Sequence, residues 1–275
     1  MLKTRIITAV GLLIGLLSIL FFASAQVWAL LTFGIVLLGI SEWSNLIGLN
    51  KAQMYRQLVV ASLIGLFVIF FVSKTPFASY QLQFMLALLG ITSFFWVVIA
   101  PVWLITRKTF SHRFVMSTLG LLLISATWLG LIGLHAISPW LLLVVIATVS
   151  IADSAAYFAG KRFGRHKLAP EISPGKTWEG VVGALSAVTL YGLALCYFKQ
   201  YSFWLILCLW LLVVLSIIGD LVESLLKRRA GLKDSGQILP GHGGVLDRID
   251  GFMPVLPITL FCIYLPLFAR LNVRG

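Results

Sequence analysis

Residues 203–250 read FWLILCLWLLVVLSIIGDLVESLLKRRAGLKDSGQILPGHGGVLDRID. Up to Leu226 the stretch is almost wholly apolar and has the length of a helix that crosses roughly 30 Å of hydrocarbon. Its only charges are Asp220 and Glu223. The composition then reverses: Ser224–Asp250 holds five Lys/Arg, three Asp, one His and five Gly in 27 residues. A membrane helix that runs straight into a charged, glycine-rich loop predicts an all-α, polytopic membrane protein with chemistry at the membrane surface.

Working outward, the rest of the chain agrees. Of its 275 residues 60% are hydrophobic and 11% charged, more apolar surface than a soluble domain buries. About nine spans are predicted: 5–22, 27–49, 58–73, 84–105, 115–135, 139–160, 178–198, 203–226 and 252–271. Span 58–73 is the shortest and would need less tilt or residues from its flanks. Lys3 and Arg5 before an apolar run, with Ala23-Ser24-Ala25 after it, also resemble a signal peptide. The run Ile6–Phe22 is long for a signal core, and cleavage would put the new terminus almost inside the next span, so an uncleaved first helix is expected. No internal repeat or matching halves stand out. The expectation is one membrane domain, with N-terminal helices over 1–135 and catalytic helices over 136–275. Three loops have substance: 106–114, 161–177 and 225–251.

Nine spans with the N-terminus inside place 17 of the 21 Lys and Arg on the cytoplasmic side. The net charge of +12 is therefore mainly an orientation signal. Its partners are anionic membrane lipids rather than nucleic acid. Cys196, Cys208 and Cys262 lie in apolar spans without metal-ligand spacing and read as small packing residues.

Four acids fall inside spans: Glu42, Asp153, Asp220 and Glu223. With helix ends near Gly160 and Leu226, Asp153 and Asp220 sit roughly 10 Å and roughly 9 Å deep at helical rise. Matching depth predicts a polar pocket open to the cytoplasm, because an ionisable group there is costly without a function. Neither has an obvious local basic partner on its own helix face. Bland readings exist for the others: an i,i+4 pair of Glu223 with Lys227, a protonated or snorkelling Glu42, and Glu179 at a positive helix terminus. Ala152, Ala156 and Gly160, and then Gly180, Gly183, Ala184 and Ala187, form small-residue faces that permit close helix approach.

Loop 161–177, KRFGRHKLAPEISPGKT, contains Pro170 and Pro174, with turn chemistry at Ser173-Pro174-Gly175. Thr177 is placed to cap the next helix, and a helix N-terminus beside Lys167 and Lys176 is an anion site. In the second loop, Pro240-Gly241-His242-Gly243-Gly244 cannot be helix, and its glycines allow amide groups to point at an anion. Asp247 and Asp250 share a face if a helix starts there. Magnesium needs only one or two carboxylates and leaves its other positions to water and phosphate.

The segments Ser224–Arg228, Lys233–Gly236 and Leu239–Asp250 together resemble the phosphatidate cytidylyltransferase signature without visible departure. Asp153–Tyr157 and Ile172–Gly180 are similar to that family too, so the resemblance covers about 150–251. It implies the reaction CTP + phosphatidate → CDP-diacylglycerol + pyrophosphate, in phospholipid biosynthesis at the bacterial inner membrane, with the active site facing the cytoplasm. Under it Asp220 and Asp247 are expected to bind Mg2+, with Asp250 third and Asp153 at a second cation or positioning the basic loop. Lys227, Arg228, Lys233 and Arg248 are expected on CTP and lipid phosphates, and His242 as a hydrogen-bond donor to phosphate. Lys167, Ser173, Lys176, Thr177, Ser224, Asp234, Gly243 and Gly244 complete the expected substrate contacts. Rival readings are a dolichol-kinase-like enzyme, a CDP-archaeol-type cytidylyltransferase or, with less support, a transporter. Small helix faces permit a homodimer and leave it open.

Overall fold

The structure, a computed structural model, describes residues 14–69, 79–107, 112–236 and 243–265. It is an all-α membrane bundle with one small hairpin. A helix over 14–22 (α1) precedes α2 (Ala25–Leu46), α3 (Lys51–Phe67) and α4 (Ser79–Phe94). A π-helical turn, Phe95–Ile99, joins α4 to α5 (Ala100–Thr106). Then come α6 (Arg113–Ile137), α7 (Pro139–Phe163), strands β1 (Lys167–Ala169) and β2 (Ser173–Thr177), and α8 (Trp178–Lys199). The chain closes with α9 (Trp204–Arg229), α10 (Leu246–Ile249) and α11 (Phe252–Tyr264).

Among the described residues six helices are long and apolar enough to cross a membrane: α2, Leu82–Thr106, α6, α7, α8 and α9. Three of the nine expected spans are not among them. Span 5–22 falls partly outside the described residues. Span 58–73 becomes α3, which starts at Lys51 because Asn50 and Gln53 form a capping box, and its last expected residues also lie outside the described set. Span 252–271 is described only as far as α11, whose 13 residues rise about 20 Å.

Two helices outlast their expected ends by three residues. α7 continues to Phe163 and α9 to Arg229. Their last turns carry Lys161, Arg162 and Lys227–Arg229, cations that suit a helix C-terminus. Both extend by three residues, so Asp153 and Asp220 stay at matching depth, each about 13–15 Å from its helix end.

Close approach fixes the packing. A Cβ on Gly180 would lie 2.9 Å from the Ala156 carbonyl, and one on Gly183 would collide with Ala159, so α7 and α8 pack antiparallel through the small faces. The Trp43 indole donates to the Met116 carbonyl at 2.9 Å over Gly120, locking α2 to α6. α11 runs parallel to α6, where Gly130 faces the Leu256–Pro257 backbone. Cys196 is buried, but Cys208 is exposed, so it is not the packing residue expected; a thiol is apolar enough to face lipid.

Loop 161–177 is not irregular. It is an antiparallel hairpin pairing Lys167 with Thr177 and Ala169 with Ser173. The turn falls at Pro170–Ile172 rather than at Ser173–Gly175, which lies in β2. Pro170 supplies the fixed φ of a turn, and Pro174 is tolerated because a two-stranded ribbon has only edges. Buried Ile172 seats the hairpin on the bundle.

Candidate active site

The cytoplasm-directed ends predicted for α2, α7 and α9 gather around the hairpin and residues 230–236 and 243–250. Lys176 reaches from β2 to α9 and places its Nζ 2.6 Å from Asp220 Oδ2. The Ser224 hydroxyl, one turn on, donates to Asp220 Oδ1 at 3.2 Å. Asp153 on α7 lies within electrostatic reach of both Lys176 and Asp220. The basic partner absent from each acid's own helix face is thus supplied by Lys176 of the hairpin.

A second cluster adjoins the first. Lys227 Nζ sits 2.5 Å from Glu223 Oε2 and 2.6 Å from Asp247 Oδ1. The expected i,i+4 pair exists, and Asp247 joins it. Asp247 Oδ2 accepts from the Ser235 amide at 3.0 Å and the Gly244 amide at 2.8 Å. Burial works to raise the Asp247 carboxyl, but the Lys227 ammonium and these amides outweigh it and hold it at about 2. Asp250, at the end of α10, accepts from the Gly251 amide at 2.7 Å. Burial, and then the neighbouring Asp220 carboxylate, push the Asp250 carboxyl above the usual carboxylate range.

A third contact set was not legible in sequence. Glu42 on α2 is 1% exposed, so it does not snorkel. Both of its oxygens are acceptors: the Val245 amide donates to Oε1 at 3.0 Å, and the Leu246 amide and Ser235 hydroxyl donate to Oε2 at 2.7 and 3.0 Å. Three donors therefore converge on this one carboxyl group. A lone acid near the end of an apolar span was the only sequence signal, and it does not name a partner some two hundred residues away.

The remaining candidates distribute unevenly. The Thr177 hydroxyl caps α8 by accepting from the Gly180 amide at 3.1 Å and is buried, so that side chain is committed to structure rather than open to a substrate. Ser173 is half-buried at the start of β2, and Lys167 is exposed on β1. Arg228 is exposed and its Nε donates to the Ile172 carbonyl at 3.3 Å. Lys233, Asp234 and Arg248 are exposed at the rim. Gly243 has φ +80, and a Cβ there would lie 2.8 Å from Asp247 Oδ2. His242, with Pro240 and Gly241, lies outside the described residues. Glu179, expected at the helix dipole, also accepts from the His166 amide at 3.2 Å and pairs with its Nδ1 at 2.7 Å.

The donor set suits a hard divalent cation. Five carboxyl groups, on Asp153, Asp220, Glu223, Asp247 and Asp250, face two ammonium groups, on Lys176 and Lys227. Glu223 is buried, with Lys227 as its ion-pair partner. Among the described residues no three His, Cys, Asp or Glu side chains form a ready cage. A magnesium ion does not require one when phosphate oxygens supply the other positions.

The profile of the cytidylyltransferase family matches residues 3–266. A phosphatidate cytidylyltransferase of Pseudomonas aeruginosa is 36% identical over 94% of this chain and 95% of its own length. One from Haemophilus influenzae is 33% identical over 94% of this chain and 96% of its own length. One from Staphylococcus aureus is 47% identical over 46% of this chain and 48% of its own. The likeness thus extends well beyond residues 150–251.

Proposed function

The chain belongs to the cytidylyltransferase family, and from that premise we propose that it joins CTP and phosphatidate to give CDP-diacylglycerol and pyrophosphate at the inner face of a bacterial inner membrane. The carrying observation is the coupled pair of clusters, Lys176–Asp220 and Glu223–Lys227–Asp247, at the one end of the bundle where the hairpin and the signature loop meet. The positive-inside distribution supports placing that end in the cytoplasm, where CTP is found.

The chemistry asks little of a general base. A phosphate monoester has a second pKa near 6, so its oxygen is already an anionic nucleophile at neutral pH. The task is to bring two polyanions together and to stabilise the leaving pyrophosphate, by positioning and electrostatics. Asp220 and Asp247 would hold Mg2+, with Asp250 beside them and Asp153 for a second cation. When bound, magnesium neutralises phosphate charge. Lys227 keeps Asp247 ionised and oriented. Lys176, on the hairpin, can exchange Asp220 for a nucleotide phosphate. Exposed Lys167, Arg228, Lys233 and Arg248 supply cations at the rim for the CTP and lipid phosphates. Amides near Gly243–Gly244 favour anions in the same region.

Purified protein given labelled CTP, phosphatidate and magnesium should release pyrophosphate and a CDP-lipid. Phosphorylated lipid with CDP would instead mean a kinase, and no product at all would sink both readings.

A further inference from the structure

We propose that Glu42 is a positioning residue: a membrane-helix carboxylate that sets the signature loop in register with the Asp247 site. The proposal rests on the cytidylyl-transfer reading of that site. Glu42 belongs to α2, far from the signature in sequence, yet its partners all flank Asp247. Val245 and Leu246, the two residues before Asp247, donate their amides to it. The third donor, the Ser235 hydroxyl, in turn accepts from the Asp247 amide at 3.3 Å, while the Ser235 amide holds Asp247 Oδ2 at 3.0 Å. One side chain therefore reaches the backbone of Asp247 through Ser235 and its immediate neighbours directly.

The loop is shaped to receive it. A Cβ on Gly236 would strike Glu42, and one on Gly244 would lie 2.5 Å from Glu42 Oε2 and 2.7 Å from the Gly236 amide. These two glycines make room for the carboxylate. Among the described residues the hydrogen bonds of Glu42 go to Ser235, Val245 and Leu246, so it acts through the setting of Asp247. Three donors converge on two oxygens. A glutamine cannot replace them, because its NH2 would face an N–H or O–H donor.

The test uses the full-length protein in detergent and compares wild type, Glu42→Gln and Ser235→Ala. Hydrogen exchange of peptides over 233–250 is read beside kcat and KM for CTP. Glu42→Gln should raise exchange in those peptides and lower kcat, each about tenfold or more, with exchange of α6 and α7 unchanged. Ser235→Ala keeps Glu42 in place and should shift both readouts in the same direction by about threefold, so the proposal stays testable if Glu42→Gln does not fold. Unchanged exchange over 233–250, unchanged kcat, or loosening spread evenly over the bundle would overturn it. A wild-type protein that makes no CDP-lipid would sink the reaction reading, and the exchange comparison would still decide the Glu42 anchor.

Discussion

Lys176 Nζ stands 2.6 Å from Asp220 Oδ2, so the hairpin and the longest membrane helix are joined by one ion pair at the mouth of the site. Both side chains are partly exposed, at 23% and 35%. A pair this open contributes modestly to stability. Its value lies in where it puts a movable cation.

Lys176→Met should therefore reduce turnover about a hundredfold while shifting the melting temperature by only a few degrees. Lys176→Arg should recover part of the loss. Steady-state kinetics beside thermal melts of the purified variants separate the two effects.

Asp247→Asn should abolish most turnover, by about a hundredfold or more, without loss of expression. It removes the charge that Lys227 and two amides are arranged to hold. Near-normal activity would rule Asp247 out of the phosphate and cation chemistry.

Gly244→Ala should be far more harmful than an exposed glycine change. The added methyl meets Ser235, Glu42 and the Gly236 amide at once, and two of these are parts of the loop anchor. A cost of about 1–3 kcal/mol is expected for such overpacking, with activity lost in parallel. Melting and turnover of the same preparation check it.

Gly183→Leu should disrupt the bundle itself, because the new side chain would enter the α7–α8 contact at Ala159 and the Ala155 carbonyl. The expected result is little folded protein by size-exclusion chromatography in detergent, at all substrate concentrations.

Glu171→Gln should change almost nothing. The carboxylate pairs with Arg107, but it is 72% exposed on the hairpin turn. Surface pairs of this kind are worth about 0–1 kcal/mol. Turnover within about twofold of wild type is expected, which separates the hairpin tip from Lys176.

The residues differ in how much of this was legible. Thr177 as a helix cap, the Glu223–Lys227 pair and the small α7–α8 faces followed from spacing alone, because each depends on residues within one or two turns. The hairpin was harder. Pro170 and Pro174 marked a break in helix, but the turn expected at Ser173–Gly175 falls at Pro170–Ile172, since either proline fits a turn or an edge strand. Glu42 looked ambiguous because its partners are on another helix and a distant loop.

The sequence by itself determined the class of protein, its helical character and the chemistry of its signature, because hydrophobic runs of bilayer length and a dense motif need no partner to be read. Tertiary structure decided which charges meet. It brought Lys176 to Asp220, joined Asp247 to Glu223 through Lys227, and seated the Ser235 hydroxyl and the Val245 and Leu246 amides on Glu42. Such pairings depend on how helices and loops far apart in the chain pack together. Inside a membrane each polar group must find a donor or acceptor there, and only the folded bundle specifies which one.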